Sequence, residues 1–182
     1  MTCKESNTVA VASVGQRAMW LGFAFVPALL VDVVTKWLIV TVVMAPPRVI
    51  EITSFFNLTL GFNPGVSFGM FQDVFLERPL VLGAIKVAIT AGLLVWALRV
   101  ENMVETVALG LIAGGAAGNV VDRVRQGAVT DFLDFHVGDW HWPTFNMADV
   151  AISIGVALLL AGSLRPFRSV FGVQKPSGET ER

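Results

Sequence analysis

Sulfur and imidazole are almost absent from this chain. Cys3 is the only cysteine, which excludes an internal disulfide and a Cys-rich metal cluster. It lies in a polar N-terminal stretch, where a thiol nucleophile is not expected. Only His136 and His141 carry imidazole, so neither a His-based metal site nor an organic cofactor is expected. Charge is scarce as well: 15% of residues are charged and the net charge is -1, leaving no basic field to attract nucleic acid.

What is abundant is apolar surface. Of the 182 residues, 54% are hydrophobic, and the mean hydropathy of +0.69 is that of a polytopic membrane protein. Four apolar segments, at about 18–43, 80–98, 104–124 and 148–164, approach the roughly 20 residues needed to cross a bilayer. Residues 1–17 are polar and end in Arg17. The apolar run after them is too long for a cleavable signal sequence and reads as a retained first helix.

Four crossings put both termini on one side. Lys4, Arg17, Arg99, Arg165, Arg168, Lys175 and Arg182 fall on the terminal side, against Arg48, Arg78, Arg123 and Arg125 opposite. That bias places the termini in the cytoplasm. The expected organisation is a cytoplasmic tail at 1–17, one membrane domain at 18–166 with extracytoplasmic loops at 44–79 and 125–147, and a second cytoplasmic tail at 167–182, disordered after Phe171.

Polar residues then become conspicuous. Asp32, Asp131 and Asp149 sit inside or at the edges of the apolar segments, and a carboxylate there is a functional-site hypothesis because its burial is costly. The expected topology gathers them at the extracytoplasmic boundary. In the first outer loop, Leu58, Leu60 and Phe62, then Val66, Phe68 and Met70, alternate with polar or small residues around Asn63-Pro64-Gly65, which predicts a small β-hairpin. Gly110, Gly114 and Gly118 recur every four residues and predict close helix approach in lipid. Trp20, Trp37, Trp140 and Trp142 are placed as interface anchors, and His136 and His141 as interfacial polar residues.

Five acids in the second outer region compete for a catalytic role. Asp122 adjoins Arg123 and is expected in an ion pair with it; Asp139 follows Gly138 and belongs to a turn. If 129–137 is extended, Asp131 shares a face with Val129, Leu133, Phe135 and Val137, whereas Asp134 shares the other with Thr130 and His136. Desolvation then raises the Asp131 carboxyl while Asp134 stays solvated. Asp149 opens the last segment, where it either caps the helix with Asn146 or does chemistry; the two roles are compatible. Two carboxylates sharing a site hold one proton between them, so one serves as acid and the other as base. Asp32 and Lys36 are one helical turn apart, as an intrahelical ion pair or a substrate-orienting pair.

Together these stretches closely resemble the lipoprotein signal peptidases (signal peptidase II). The resemblance rests on Asp32-x-x-Thr35-Lys36, on Asn63-Pro64-Gly65-Val66-Ser67-Phe68, on residues 114–123 ending Asn119-Val120-Val121-Asp122-Arg123, on Val129-Thr130-Asp131-Phe132, and on Phe145-Asn146-Met147-Ala148-Asp149. Five motifs in order are specific where each alone is weak. Thr130 stands where an apolar residue is common, and Val66-Ser67 where Ala-Ala is frequent; neither departure touches the acids.

The resemblance implies a catalytic pair at Asp131 and Asp149. It implies supporting or substrate-contacting roles for Asp32, Lys36, Asn63, Asn119, Asp122, Arg123, Asn146 and Ala148. It also implies a mainly α, integral membrane fold of four transmembrane helices with a small β-sheet cradle on the extracytoplasmic face. The expected activity is that of an inner-membrane aspartic endopeptidase, a monomer, cutting diacylglyceryl-modified prolipoproteins just before the lipidated cysteine. Partners would be that precursor, membrane lipid and a globomycin-type inhibitor. The alternative is a small transporter or proton relay built on intramembrane carboxylates; clustering of the acids on one face counts against it.

Overall fold

A computed structural model of the chain describes residues 13–64 and 79–170. Helix α1 is Val14–Leu38, prolonged by a π-helical turn at Ile39–Val43. Strands β1 (Ile50–Thr53) and β2 (Phe56–Asn63) follow, then α2 (Pro79–Ala97), α3 (Met103–Gln126), β3 (Val129–Val137), β4 (Trp140–His141) and α4 (Met147–Val170). The result is a mainly helical membrane protein with one small β-sheet.

Helix α1 starts earlier than its apolar run because Ser13 caps it. The Ser13 hydroxyl accepts from the Gln16 N–H at 3.3 Å, and the Gln16 side chain accepts from the Ser13 N–H at 2.9 Å. This reciprocal capping satisfies two N-terminal donors and carries the helix through polar residues. Helix α3 is capped by Asn102 and stops at Gly127, whose φ of 78° suits a residue with no Cβ. Helix α4 runs past residue 164 to Val170.

Among the described residues, the helical stretches Val14–Val43 and Met103–Gln126 are long and apolar enough to cross a membrane. Ala84–Ala97 and Met147–Gly162 are shorter apolar helices. On α1, Phe23, Val26, Leu30, Val34 and Trp37 stay exposed, a continuous apolar surface that lipid covers favourably and water does not.

Helix α3 sits at the centre of the bundle, packed on α1, α2 and α4. Its glycines explain how. A Cβ at Gly110 would lie 2.8 Å from the Ala24 Cβ, and one at Gly114 would lie 2.5 Å from the Phe25 carbonyl oxygen. One at Gly118 would overlap the Asp32 carboxylate. The small-residue stripe therefore faces α1 and brings backbone against backbone. Gly115 does the same toward α4, where its Cβ would meet the Ala148 carbonyl oxygen at 2.5 Å.

The sheet has strand order β1-β2-β3-β4, all antiparallel. Strand β2 pairs with β1, through a turn at residues 54–55, and with β3. Long-range pairing with β3 covers one edge of β2, which local alternation does not reveal. The other arm of the expected hairpin, Val66 to Met70, lies outside the described residues, as do residues 1–12 and the tail from 171. Two apolar clusters hold the ends of the molecule. Leu21, Ala97 and Leu109 close the end away from the sheet, while Ile39, Met44 and Phe132 join the π-helical turn to the sheet. Between the bundle and the sheet lies a layer of buried polar residues.

Candidate active site

That polar layer is centred on Asn146, which is fully buried at the N-terminus of α4. Its side-chain N–H donates to Asp131 Oδ1 at 2.6 Å and to Asn119 Oδ1 at 3.3 Å. Its side-chain oxygen accepts from the Asp149 N–H at 3.2 Å, and the Asp149 carboxylate accepts from the Asn146 N–H at 3.2 Å. The anticipated capping pair is therefore present, and it aims Asp149 rigidly. One residue touches both carboxylates, one from β3 and one from α4.

Asn119 supports the other side. Its side-chain N–H donates to Asp149 Oδ1 at 3.2 Å, and its oxygen accepts from Lys36 Nζ at 2.8 Å. Asn63, at the end of β2, donates to Asp131 Oδ2 at 3.2 Å. Asp131 thus accepts from an asparagine on each oxygen, and only 4% of its surface is exposed. Burial pushes its carboxyl above the ordinary value of 3.8; the bonds from Asn146 and Asn63 oppose that shift, and the nearby Asp149 charge adds to it.

Beneath the two carboxylates, Lys36 collects the remaining charges. Its ammonium donates to Asp32 Oδ2 at 2.7 Å and lies 3.4 Å from Asp122 Oδ2. The other oxygen of Asp32 accepts from the Ala148 N–H at 2.8 Å, so the pair also anchors the first turn of α4. Asp122 was expected to pair with Arg123; it pairs with Lys36 and accepts from the Thr130 N–H at 2.9 Å. Adjacent residues on a helix point in different directions, so the sequence neighbour loses to a lysine on α1.

Comparison with known proteins follows the same lines. The family model described as Signal peptidase (SPase) II, Peptidase_A8, matches residues 24–165. The chain belongs to the signal peptidase II family. A lipoprotein signal peptidase of Sphingopyxis alaskensis is 42% identical over 153 residues, covering 81% of this chain and 88% of that protein. One from Paraburkholderia phymatum is 43% identical over 166 residues, covering 90% and 98%. A solved structure described as a bacterial membrane enzyme, obtained by the in meso method, superposes with a TM-score of 0.68 at 28% identity, covering 92% of this chain and 95% of that one. Family membership makes the chain a membrane aspartic endopeptidase.

The remaining motif positions of the family fall around the same layer. Arg123 donates from Nη1 to the Asn119 carbonyl oxygen at 3.0 Å and feels the charges of Asp131, Asp149 and Asp122. Ala148 is fully buried and contributes its N–H to Asp32. Of the residues singled out from sequence, Asp32, Lys36, Asn63, Asn119, Asp122, Asp131, Asn146, Ala148 and Asp149 form one connected set of hydrogen bonds and ion pairs. Among the described residues, no group of three or more His, Cys, Asp or Glu is arranged to hold a metal ion.

Asp134 differs from its expectation. It is not solvated: only 5% of its surface is exposed. It accepts from the Asn57 side-chain N–H at 3.3 Å, and its oxygens lie 2.8 and 3.0 Å from His141 Nδ1. His141 in turn stacks on His136 with ring centroids 5.0 Å apart. Strand alternation separates Asp134 from Asp131 by face, but Asn57 from β2 and His141 from β4 cover Asp134 on its own face. The Asn57–Asp134–His141 cluster escaped sequence reasoning, because only the register that sets Asn57 opposite Asp134 discloses it.

Proposed function

We propose that Asp131 and Asp149 are the catalytic pair of a peptidase that removes signal peptides from diacylglyceryl-modified prolipoproteins, cutting just before the lipidated cysteine. The observation that carries this reading is the bridge through Asn146, which binds both carboxylates and fixes their orientation. One carboxylate, ionised, takes a proton from water as it attacks the scissile carbonyl carbon. The other, protonated, gives its proton to the departing amine. Lys36, Asn119 and Asn63 position the pair and stabilise its charge. Asp32 and Ala148 fix the start of α4, Arg123 adds positive potential beside the acids, and Asp122 holds the start of β3.

On this reading the helical stretches cross the bacterial inner membrane four times, with both termini in the cytoplasm and the sheet at the extracytoplasmic surface. The lipid of the precursor stays at the interface while the bundle receives the apolar core of the signal peptide. The chain acts as a monomer, and a globomycin-type inhibitor would occupy the same site. The test is processing of a lipidated precursor peptide by purified protein in detergent. Asp131→Asn and Asp149→Asn should each abolish cleavage while membrane insertion and thermal unfolding remain near wild type. Normal turnover by either folded variant would reject the pair.

A further inference from the structure

A second polar cleft lies between α1 and α3 at the sheet-bearing end. It encloses about 170 Å³ and is walled by Val33, Trp37 and Val40 on the α1 side and by Arg125 on α3, with Lys36 and Asp122 among the residues lining it. The charges of Lys36 and Asp122 are satisfied by each other and by Asp32, Asn119 and the Thr130 N–H. Arg125 is different. It is exposed, and it makes no hydrogen bond or ion pair with any described residue. The indole N–H of Trp37, half exposed on the other lip, is likewise without a partner among the described residues.

We infer that this cleft binds the phosphate of a glycerophospholipid, with the Arg125 guanidinium as its cationic ligand. Three observations point to lipid. First, the two walls belong to the helices that are long and apolar enough to cross a membrane, so the cleft opens onto bilayer. Second, Trp37 continues the exposed apolar surface of Leu30, Val34 and Leu38, and tryptophan favours the headgroup level. Third, the lining sets charged Lys36 and Arg125 beside apolar Val33, Trp37 and Val40, so one cleft offers both a cationic group and an apolar wall, as a headgroup with its first methylenes requires. From Val33 to Val40 the helix rises roughly 10 Å, enough for a phosphate, the glycerol and the first methylenes. A guanidinium presents paired donors that match phosphate oxygens, which an ammonium does not.

The inference uses the membrane placement of the helices and makes no use of the peptidase assignment. Binding is measured without substrate, so failure of either leaves the other standing. The purified full chain, in an uncharged detergent, is titrated with phosphatidylglycerol, with diacylglycerol and with inorganic phosphate, and adducts are counted by native mass spectrometry. Phosphatidylglycerol should bind, Arg125→Gln should weaken it about tenfold, and Arg125→Lys should weaken it less. Arg99→Gln, at the turn between α2 and α3, should change nothing. Equal binding by Arg125→Gln, or equal loss in Arg99→Gln, overturns the site. Diacylglycerol binding as tightly as phosphatidylglycerol removes the phosphate from recognition, and inorganic phosphate binding as tightly removes the lipid; either result also overturns it.

Discussion

The Lys36 ammonium donates to the Asn119 side-chain oxygen at 2.8 Å, joining α1 to α3 across 83 positions of sequence. That bond links the ion pairs below to the carboxylates above, because Asn119 also donates to Asp149. Lys36 is the only cation within reach of both Asp32 and Asp122 among the described residues. Its removal would leave two buried carboxylates without an ion-pair partner in contact.

Lys36→Met should therefore destabilise the fold strongly, since breaking a buried ion pair from one side costs about 3–5 kcal/mol. The double variant Lys36→Met/Asp32→Asn should recover part of that loss, because it removes an uncompensated charge. Thermal unfolding in detergent measures both. A single variant as stable as wild type would mean that water, not Lys36, neutralises Asp32.

The glycine stripe makes a graded prediction. Gly114→Ala drives a methyl into the Phe25 backbone and Gly118→Ala drives one into Asp32, whereas a methyl at Gly92 meets nothing within 4 Å. Overpacking of this kind costs about 1–3 kcal/mol. Gly114→Ala and Gly118→Ala should lower the unfolding temperature, and Gly118→Ala should also slow processing by displacing Asp32. Gly92→Ala should do neither.

Asp134→Asn tests the division of labour along β3. Asn retains an oxygen for the Asn57 amide, so the cost should come from the weakened contact with His141. Loss of a charge-assisted bond is worth about 1.5–3 kcal/mol. Unfolding should shift while turnover at low temperature stays within a few-fold of wild type. A stable but inactive Asp134→Asn protein would show that chemistry runs through the other face of the strand.

The pH profile carries its own sign. Burial raises the Asp131 carboxyl above 3.8, so just above that pH the folded chain keeps a proton that the unfolded chain has released. Stability contributed by this group is fully present below 3.8 and is lost as pH rises through the raised value. Processing, which needs one proton on the pair, should fall on the same alkaline limb, and that limb belongs to the pair rather than to one residue. Asn63→Ala removes a bond that favours the ionised carboxylate, so it should move the limb to higher pH. A limb that moves to lower pH would contradict the geometry at Asp131.

Much of this protein was legible before any fold was known. Carboxylates in an apolar setting marked Asp32, Asp131 and Asp149, and the face assignment of Asp131 assumed an extended 129–137, which is β3. Such features are local: the cost of burying charge and the two-residue period of a strand act within a few positions of sequence. The partners were another matter. Asp122 was assigned to its neighbour Arg123 and found Lys36. Asp134 was assigned to solvent and found Asn57 and His141. Strand β2 was read from its own alternation, and its pairing with β3 was not foreseen.

By itself, then, the amino-acid order determined which residues are candidates for the chemistry, because a polar side chain in an apolar segment is unusual wherever the chain goes. Only the tertiary structure decided which of them touch. Contacts such as Ala148 N–H to Asp32, 116 positions apart, depend on where the glycine-lined helices cross and on the register of the sheet. Those depend on packing over the whole chain, which no single stretch of residues encodes.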